Sequence, residues 1–375
     1  MEKPLFYPKL YLASAVLFCL ISAYPLLGRA DTQNEDDKTV AVNQQLNMFE
    51  SPQSHADGVA QEFSSPGPEV IKESPNVHPE MQNDGSLLKE VLSPHLNQNP
   101  QTRHPSNVIT RVHTLDAGAE ISYYRYVVPK WIFANNNNVV RIKDVGPMYG
   151  FFADYAYRPQ DPNFLNNFIS NVYMLQARYA GSRDLNFSGE GNVKGKHDDI
   201  MEFRGLIGKD YFVGTDLRLT PYFGFGYRYL YDRGNGQITS LNYLQEDNRS
   251  HYYYLPLGGN ATFEMPKNWE IDVNGEYDFF IQGIQKSYYS EWNKYGGPYT
   301  YSNLVFRQNF GFGLRTSVKF IKHGPMVDFY VEPYLRYWDI EQSKPETQLY
   351  QGTSYSVVEP ANSTVEVGTK FGVQF

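Results

Sequence analysis

Cysteine is almost absent from this chain: the one copy in 375 residues, Cys19, lies inside an N-terminal apolar run. A lone cysteine offers no disulfide framework and no thiolate zinc cluster, and its loss with that run would leave no thiol nucleophile. Phe18 stands where lipid acylation needs a small residue, so Cys19 reads as filler. Long apolar runs are missing beyond Leu27 and mean hydropathy is −0.52, which excludes a bundle of membrane-crossing helices. Basic excess is missing too. A formal net charge of −8 argues against a general nucleic-acid binder, which needs a basic stripe. No Gly-rich phosphate loop, zinc-ligand spacing or GxSxG elbow occurs, so the motifs imply no cofactor, metal or catalytic residue.

What is present begins with Lys3 and Lys9 ahead of the apolar run Leu10 to Leu27, then Gly28 and Ala30 at small-residue positions. That is the layout of a secretory signal peptide over 1–30, with an uncleaved anchor helix as the rival reading. Residues 31–107 are rich in Asn, Gln, Ser, Pro and acids, as in SSPGPEV and HLNQNPQTRHPSN. They cannot bury enough apolar surface to offset their ordering entropy, and a disordered periplasmic linker is expected. SLLKEVLSPHL within it is long enough only for a transient helix.

Over 108–375 the texture changes to period-two alternation punctuated by turn signals, while aromatics reach 16% of the chain with 31 tyrosines. Low hydropathy with many aromatics fits a transmembrane β-barrel, where only alternate residues face lipid and aromatic girdles mark the interfaces. The alternation predicts about ten strands: Leu115 to Val128, Gly146 to Arg158, Ser170 to Ser182, Ile200 to Phe212, Leu219 to Tyr231, Ser250 to Met265, Trp269 to Gly283, Leu304 to Ile321, Met326 to Ile340 and Ser363 to Phe375. Connections after odd strands are long. Those after even strands are short, PKN and KHG among them, apart from a stretch around Pro159 to Phe168 with room for a helical turn.

Strand periodicity then assigns faces. Phe223, Phe225, Phe279, Phe306, Phe310, Phe312, Phe329 and Phe371 should meet lipid. Glu120, Asp154, Arg178, Glu202, Arg204, Arg228, Asp272, Glu276, Asp278, Arg307, Arg315, Lys319, Asp328, Glu332, Arg336, Glu366 and Lys370 should point inward. The two signs nearly cancel. Eight strands already give only enough width for side chains to fill, so these groups are expected to knit a charged network that plugs the lumen. An open lumen ringed by the same charges would instead make a small-solute, porin-like channel. Inward Gly224, Gly226, Gly311 and Gly313 give room where side chains crowd.

One constellation invites a chemical reading. His197, Asp198 and Asp199 precede the fourth strand, while Glu246, Asp247 and His251 lie at the sixth. Brought together at the rim, a His and an Asp would activate water as an omptin-like hydrolase does; solvated or cation-binding acids are the plainer reading, and no enzyme is expected. The outer loops, such as KSYYSEWNKYGGPYTYSN, carry the Tyr, Ser and Asn of recognition surfaces. An extracellular ligand is therefore possible, although a girdle of interfacial tyrosines accounts for most of them.

LQARYAGSRDLNFSGEG, MEFRGLIGKDY, LTPYFGFGYRYLYD, YYYLPLGG, GEYDFFIQGIQKSYYSE, VEPYLRYWDIE and PANSTVEVGTKFGVQF, spanning Val172 to Phe375, together resemble a group of proteobacterial outer-membrane β-barrel proteins without an established activity. Gln176 departs from that group, which has an acid there. The resemblance implies a barrel in the cell outer membrane and no reaction. The reading is thus an outer-membrane barrel in a structural or surface-interaction role. Outer-membrane lipid, lipopolysaccharide and the barrel-insertion machinery, reading the last strand at Phe375, are its expected partners.

Overall fold

The computed structural model describes residues 110–132, 139–160, 169–295, 300–350 and 353–375. The expected signal peptide and linker, and residues 161–168 of the Pro159 to Phe168 stretch read as having room for a helical turn, lie outside the described residues. The strands are β1 (His113–Ile132), β2 (Val139–Tyr157), β3 (Val172–Gly189), β4 (Gly191–Gly208), β5 (Tyr211–Val213), β6 (Leu217–Arg233), β7 (Asn248–Met265), β8 (Trp269–Ser287), β9 (Leu304–Gln308), β10 (Gly311–Lys322), β11 (Asp328–Ile340), β12 (Glu346–Tyr350), β13 (Thr353–Val357) and β14 (Asn362–Gln374). A 3-10 helix covers Tyr289–Tyr295.

Ten wall positions close into an antiparallel transmembrane barrel, with β9 and β10 sharing one position. β14 pairs with β1 over Asp116↔Gln374 to Val127↔Ser363, and β10 pairs with both β8 and β11, so the main sheet closes on itself. Alternation drives this closure: apolar residues line the outside and charged ones the inside. Phe151, Leu175, Phe203, Phe225 and Phe329 are exposed on the outer wall while Asp278, Asp328 and Glu366 are buried. A water-soluble protein has the opposite arrangement. A barrel in hydrocarbon requires this one.

Several boundaries differ from the sequence reading. The first two long connections are largely strand: β3 and β4 continue past Leu185 and Lys196 to a turn where Gly189 and Gly191 have φ of 152° and 94°. Leu185 and Phe187 are buried there, so this tall hairpin keeps an inner face. The expected fourth strand stops at Gly208, and Tyr211–Val213 folds back on the start of β6 around Gly214 at φ 66°. The expected eighth strand breaks at Asn309–Phe310 between β9 and β10.

On the loop side of that break two faces are inverted, and the cause lies in β8. In β8 the buried positions change from Glu276 and Asp278 to Gly283, Gln285 and Ser287, and the register with β7 slips so that Ile281 is the extra residue. One extra residue moves every later side chain to the other face. β9, paired to this segment, follows: Phe306 is buried inside and Arg307 is exposed outside. The expectation that Arg307 lines the lumen and Phe306 meets lipid is corrected accordingly.

Candidate functional site

Arg307 apart, the residues expected inside are inside, and they form contacts across the interior rather than only between neighbouring strands. Arg315 of β10 donates to both carboxylate oxygens of Glu202 on β4, at 2.5 and 2.9 Å, and through Nε to Asp278 at 2.6 Å. β6, β7 and β8 separate β4 from β10 along the nearer way round, so this fork reaches over most of the bore. Arg228 of β6 lies 3.8 Å from Glu366 of β14, half the ring away in either direction. Arg178 bridges Glu120, at 2.5 Å, and Glu366, and Arg336 faces the same two acids at 3.5 Å. Arg204 pairs with Glu276. Toward the turn end, Lys319 meets Asp116 at 2.5 Å, and Lys370 lies between Asp154 and Glu332 at 3.7 and 3.6 Å. Asp328 pairs with Arg111 at 2.7 Å, whereas Asp272 lines a cavity.

Buried charges are tolerated only when paired and hydrogen-bonded, and rings tighten this layer further. Arg228 and Arg315 each lie 5.6 Å from the Trp338 ring, and Tyr254 meets that ring edge-on at 5.0 Å while donating to Glu202 at 2.7 Å. Tyr254 lies against Gly226, where a Cβ would fall 2.1 Å from its ring, so that position has room for nothing larger than glycine. Sequence reading missed Tyr254 because a tyrosine on a girdled barrel is expected outside. Its place two residues from buried Tyr252, on one strand face, was the available signal.

Moving toward the loop end, the inward residues become apolar. Tyr124, Met148, Leu185, Ile200, Leu230, Tyr252 and Ile340, from seven strands around the ring, form one buried cluster. Beyond it a second ionic set appears: Lys196 donates to Asp144 at 2.7 Å and to Asp232 at 2.9 Å, with Asp198 buried in the same layer. Over the mouth the 3-10 helix packs Tyr289 and Trp292 against Leu244, Tyr301, Leu304, Phe306 and Val357. Asn293 ties this lid, donating to the Tyr301 carbonyl at 3.0 Å and accepting from its N–H at 2.8 Å. At the turn end, by contrast, a polar cavity of about 200 Å³ enters as far as Arg178, Glu202, Arg315 and Arg336.

Two loop carboxyls feel this enclosure. Burial, reinforced by nearby acids, pushes Glu246 and Glu359 each up to about 8, and Gln285 donates to Glu359 at 2.5 Å. The residues considered for rim hydrolysis are divided between the two faces of the wall. Lys196 and Asp198 are buried inside, which puts His197 and Asp199 on the outer face, where His251 also stacks on Tyr227 and meets Tyr229 at a tilt. Asp199 binds Tyr179 at 2.6 Å, and Asp247 accepts from Tyr231 at 2.7 Å.

The fold and interior define a class: an antiparallel membrane barrel crossed by ion pairs and layered from polar to apolar. No protein-family model matches the chain, and no curated protein matches it in sequence. Among solved structures it is similar to the outer membrane protease OmpT from Escherichia coli, at 10% identity over 72% of this chain and 99% of that one, TM-score 0.47. It is also similar to a deletion mutant of the TodX monoaromatic hydrocarbon channel (6%, 71% and 90%, 0.29) and to Ail, the attachment invasion locus protein of Yersinia pestis (8%, 69% and 98%, 0.21). These likenesses assign no activity to this chain.

Proposed function

We propose that the protein is a bacterial outer-membrane barrel with a closed lumen, acting through its loop surface in a structural or recognition role. The wall-to-wall fork of Arg315 on Glu202 carries this reading, because it occupies the bore at the level where a permeant solute would have to pass. The apolar layer and the aromatic lid beyond it support the same conclusion. The outer apolar belt suits lipid, the long loops would face outward among lipopolysaccharide, and the strand ending at Phe375 would serve the insertion machinery. The N-terminal extension would then lie in the periplasm. Its ligand would meet the tyrosine-rich loops.

The test is electrical. Purified protein reconstituted in planar bilayers should give no stable single-channel currents; reproducible conductance steps would return the molecule to the small-solute channel reading. Against a rim hydrolase, Asp198 lies on the opposite face from His197, and Asp199, on the His197 side, is engaged by Tyr179, Arg183 and Arg233. Peptidase activity lost on His197→Ala would restore it.

A further inference from the structure

At the turn end, a three-residue turn joins β7 to β8, with Lys267 and Asn268 at φ of 65° and 59°. This tight hairpin sets Glu264 directly opposite Glu270 across the strand pair. Two carboxylates directly opposite on a sheet disfavour the pairing by their like charge. The next turn along the rim supplies a histidine: the His323 N–H donates to the Asn268 carbonyl at 3.0 Å, which fixes His323 beside that pair. One ligand atom from each of Glu264, Glu270 and His323 lies within 4.8 Å of the other two.

The histidine is oriented as a ligand is. Its Nδ1 is 2.9 Å from Asp328 Oδ2, and Asp328 is itself held by Arg111 and by the Gly324 N–H. A carboxylate on one ring nitrogen fixes the tautomer and presents the other nitrogen to a metal. Here Nε2 is buried, makes no hydrogen bond, and lies 3.7 Å from Glu270 Oε2, on a side chain only 8% exposed. Nitrogen and oxygen ligands at about 2.0–2.1 Å from a tetrahedral zinc are separated by about 3.3 Å, so an adjustment of a few tenths of an ångström would bring these two atoms onto one ion.

We propose that Glu264, Glu270 and His323 form a mononuclear site for a divalent transition-metal ion of the zinc class, with Asp328 as the positioning residue behind His323. Two hard carboxylates with one imidazole suit such an ion, and the absence of thiolates disfavours a soft monovalent one. The ion would clasp the β7–β8 turn to the β10–β11 turn. Glu270 and His323 also line the turn-end cavity, so the remaining coordination position faces into it and could take water or a small anion.

Cobalt(II) is the probe. The full chain, purified in detergent and stripped with chelator, should bind one equivalent with the visible absorption of a four- or five-coordinate ion, and zinc should displace it. His323→Ala and Glu270→Gln should abolish the band, and Asp328→Asn should weaken affinity about 10- to 100-fold. Folding of each variant is checked by heat-dependent gel mobility, and Glu264→Gln gives the same readout where another variant fails that check. No stoichiometric binding by the parent protein, as a protonated histidine simply ion-paired to its acids would give, overturns the proposal. So does binding left intact by His323→Ala or Glu264→Gln, which would place the ion elsewhere on the chain.

Discussion

Arg315 and Glu202 belong to strands well apart in the ring, yet their side chains form a two-pronged hydrogen-bonded pair of 2.5 and 2.9 Å in the middle of the barrel. The pair is buried at both ends. Removing one member therefore leaves a charge without its partner, the costly case at about 3–5 kcal/mol. Arg315→Met should lower the urea unfolding midpoint accordingly. Combining it with Glu202→Gln should cost clearly less than the sum of the two single changes. Additive losses would mean that the two residues do not act as a pair.

The inverted face of β9 separates two adjacent residues. Phe306 is 1% exposed within the lid cluster, and Phe306→Ala should destabilise by about 3–5 kcal/mol. Arg307→Ala, on the outer side, should stay within about 0.5 kcal/mol. Unfolding measured for both variants checks this; the reverse order would restore the uninterrupted strand expected from alternation.

Closure at several depths predicts that no single loop is the gate. Replacing the β12–β13 hairpin with a short Gly-Ser link should leave bilayer conductance at background, because the apolar layer and the Arg315–Glu202 fork lie deeper. Measurable currents from that deletion would instead identify the hairpin as the whole barrier.

The lid should weaken as pH rises. Glu246 and Glu359 have folded-state values near 8 against an ordinary 4.5, raised by burial and by nearby acids. The folded lid thus holds protons that the open chain releases between those values, and its stability falls from about pH 4.5 to about pH 8 before levelling. The protection of amides around Leu244 and Val357, taken relative to the intrinsic exchange rate at each pH, should be lower at pH 9 than at pH 5, and Glu359→Gln should flatten that difference. Equal protection at both values would rule out the enclosed carboxyls as the cause.

Most of the wall was readable because period-two alternation is a local property: the lumen-facing Asp272, Asn274, Glu276 and Asp278 against the outward Val273, Tyr277 and Phe279 needs no knowledge of neighbours. What escaped depended on neighbours. The extra residue at Ile281 shows only in its pairing with β7, and from there it decides which way Phe306 and Arg307 point. Leu185 and Phe187 looked like loop residues because glycines and charges surround them, although their alternation continues the strand. The inner apolar layer was invisible because a lumen is assumed polar throughout. The Glu264, Glu270 and His323 group joins two turns that only barrel closure brings together.

The ionic layer also constrains how such a chain can be assembled. Arg315 and Arg228 find their acids on strands that are distant both in sequence and around the circumference, so a half-built sheet presents cations and anions with nothing opposite them. Contacts of such long range form late. Until the first and last strands zip along their shared seam, the nascent inner surface has to stay wet, and the barrel can dry out only in the step that makes it whole.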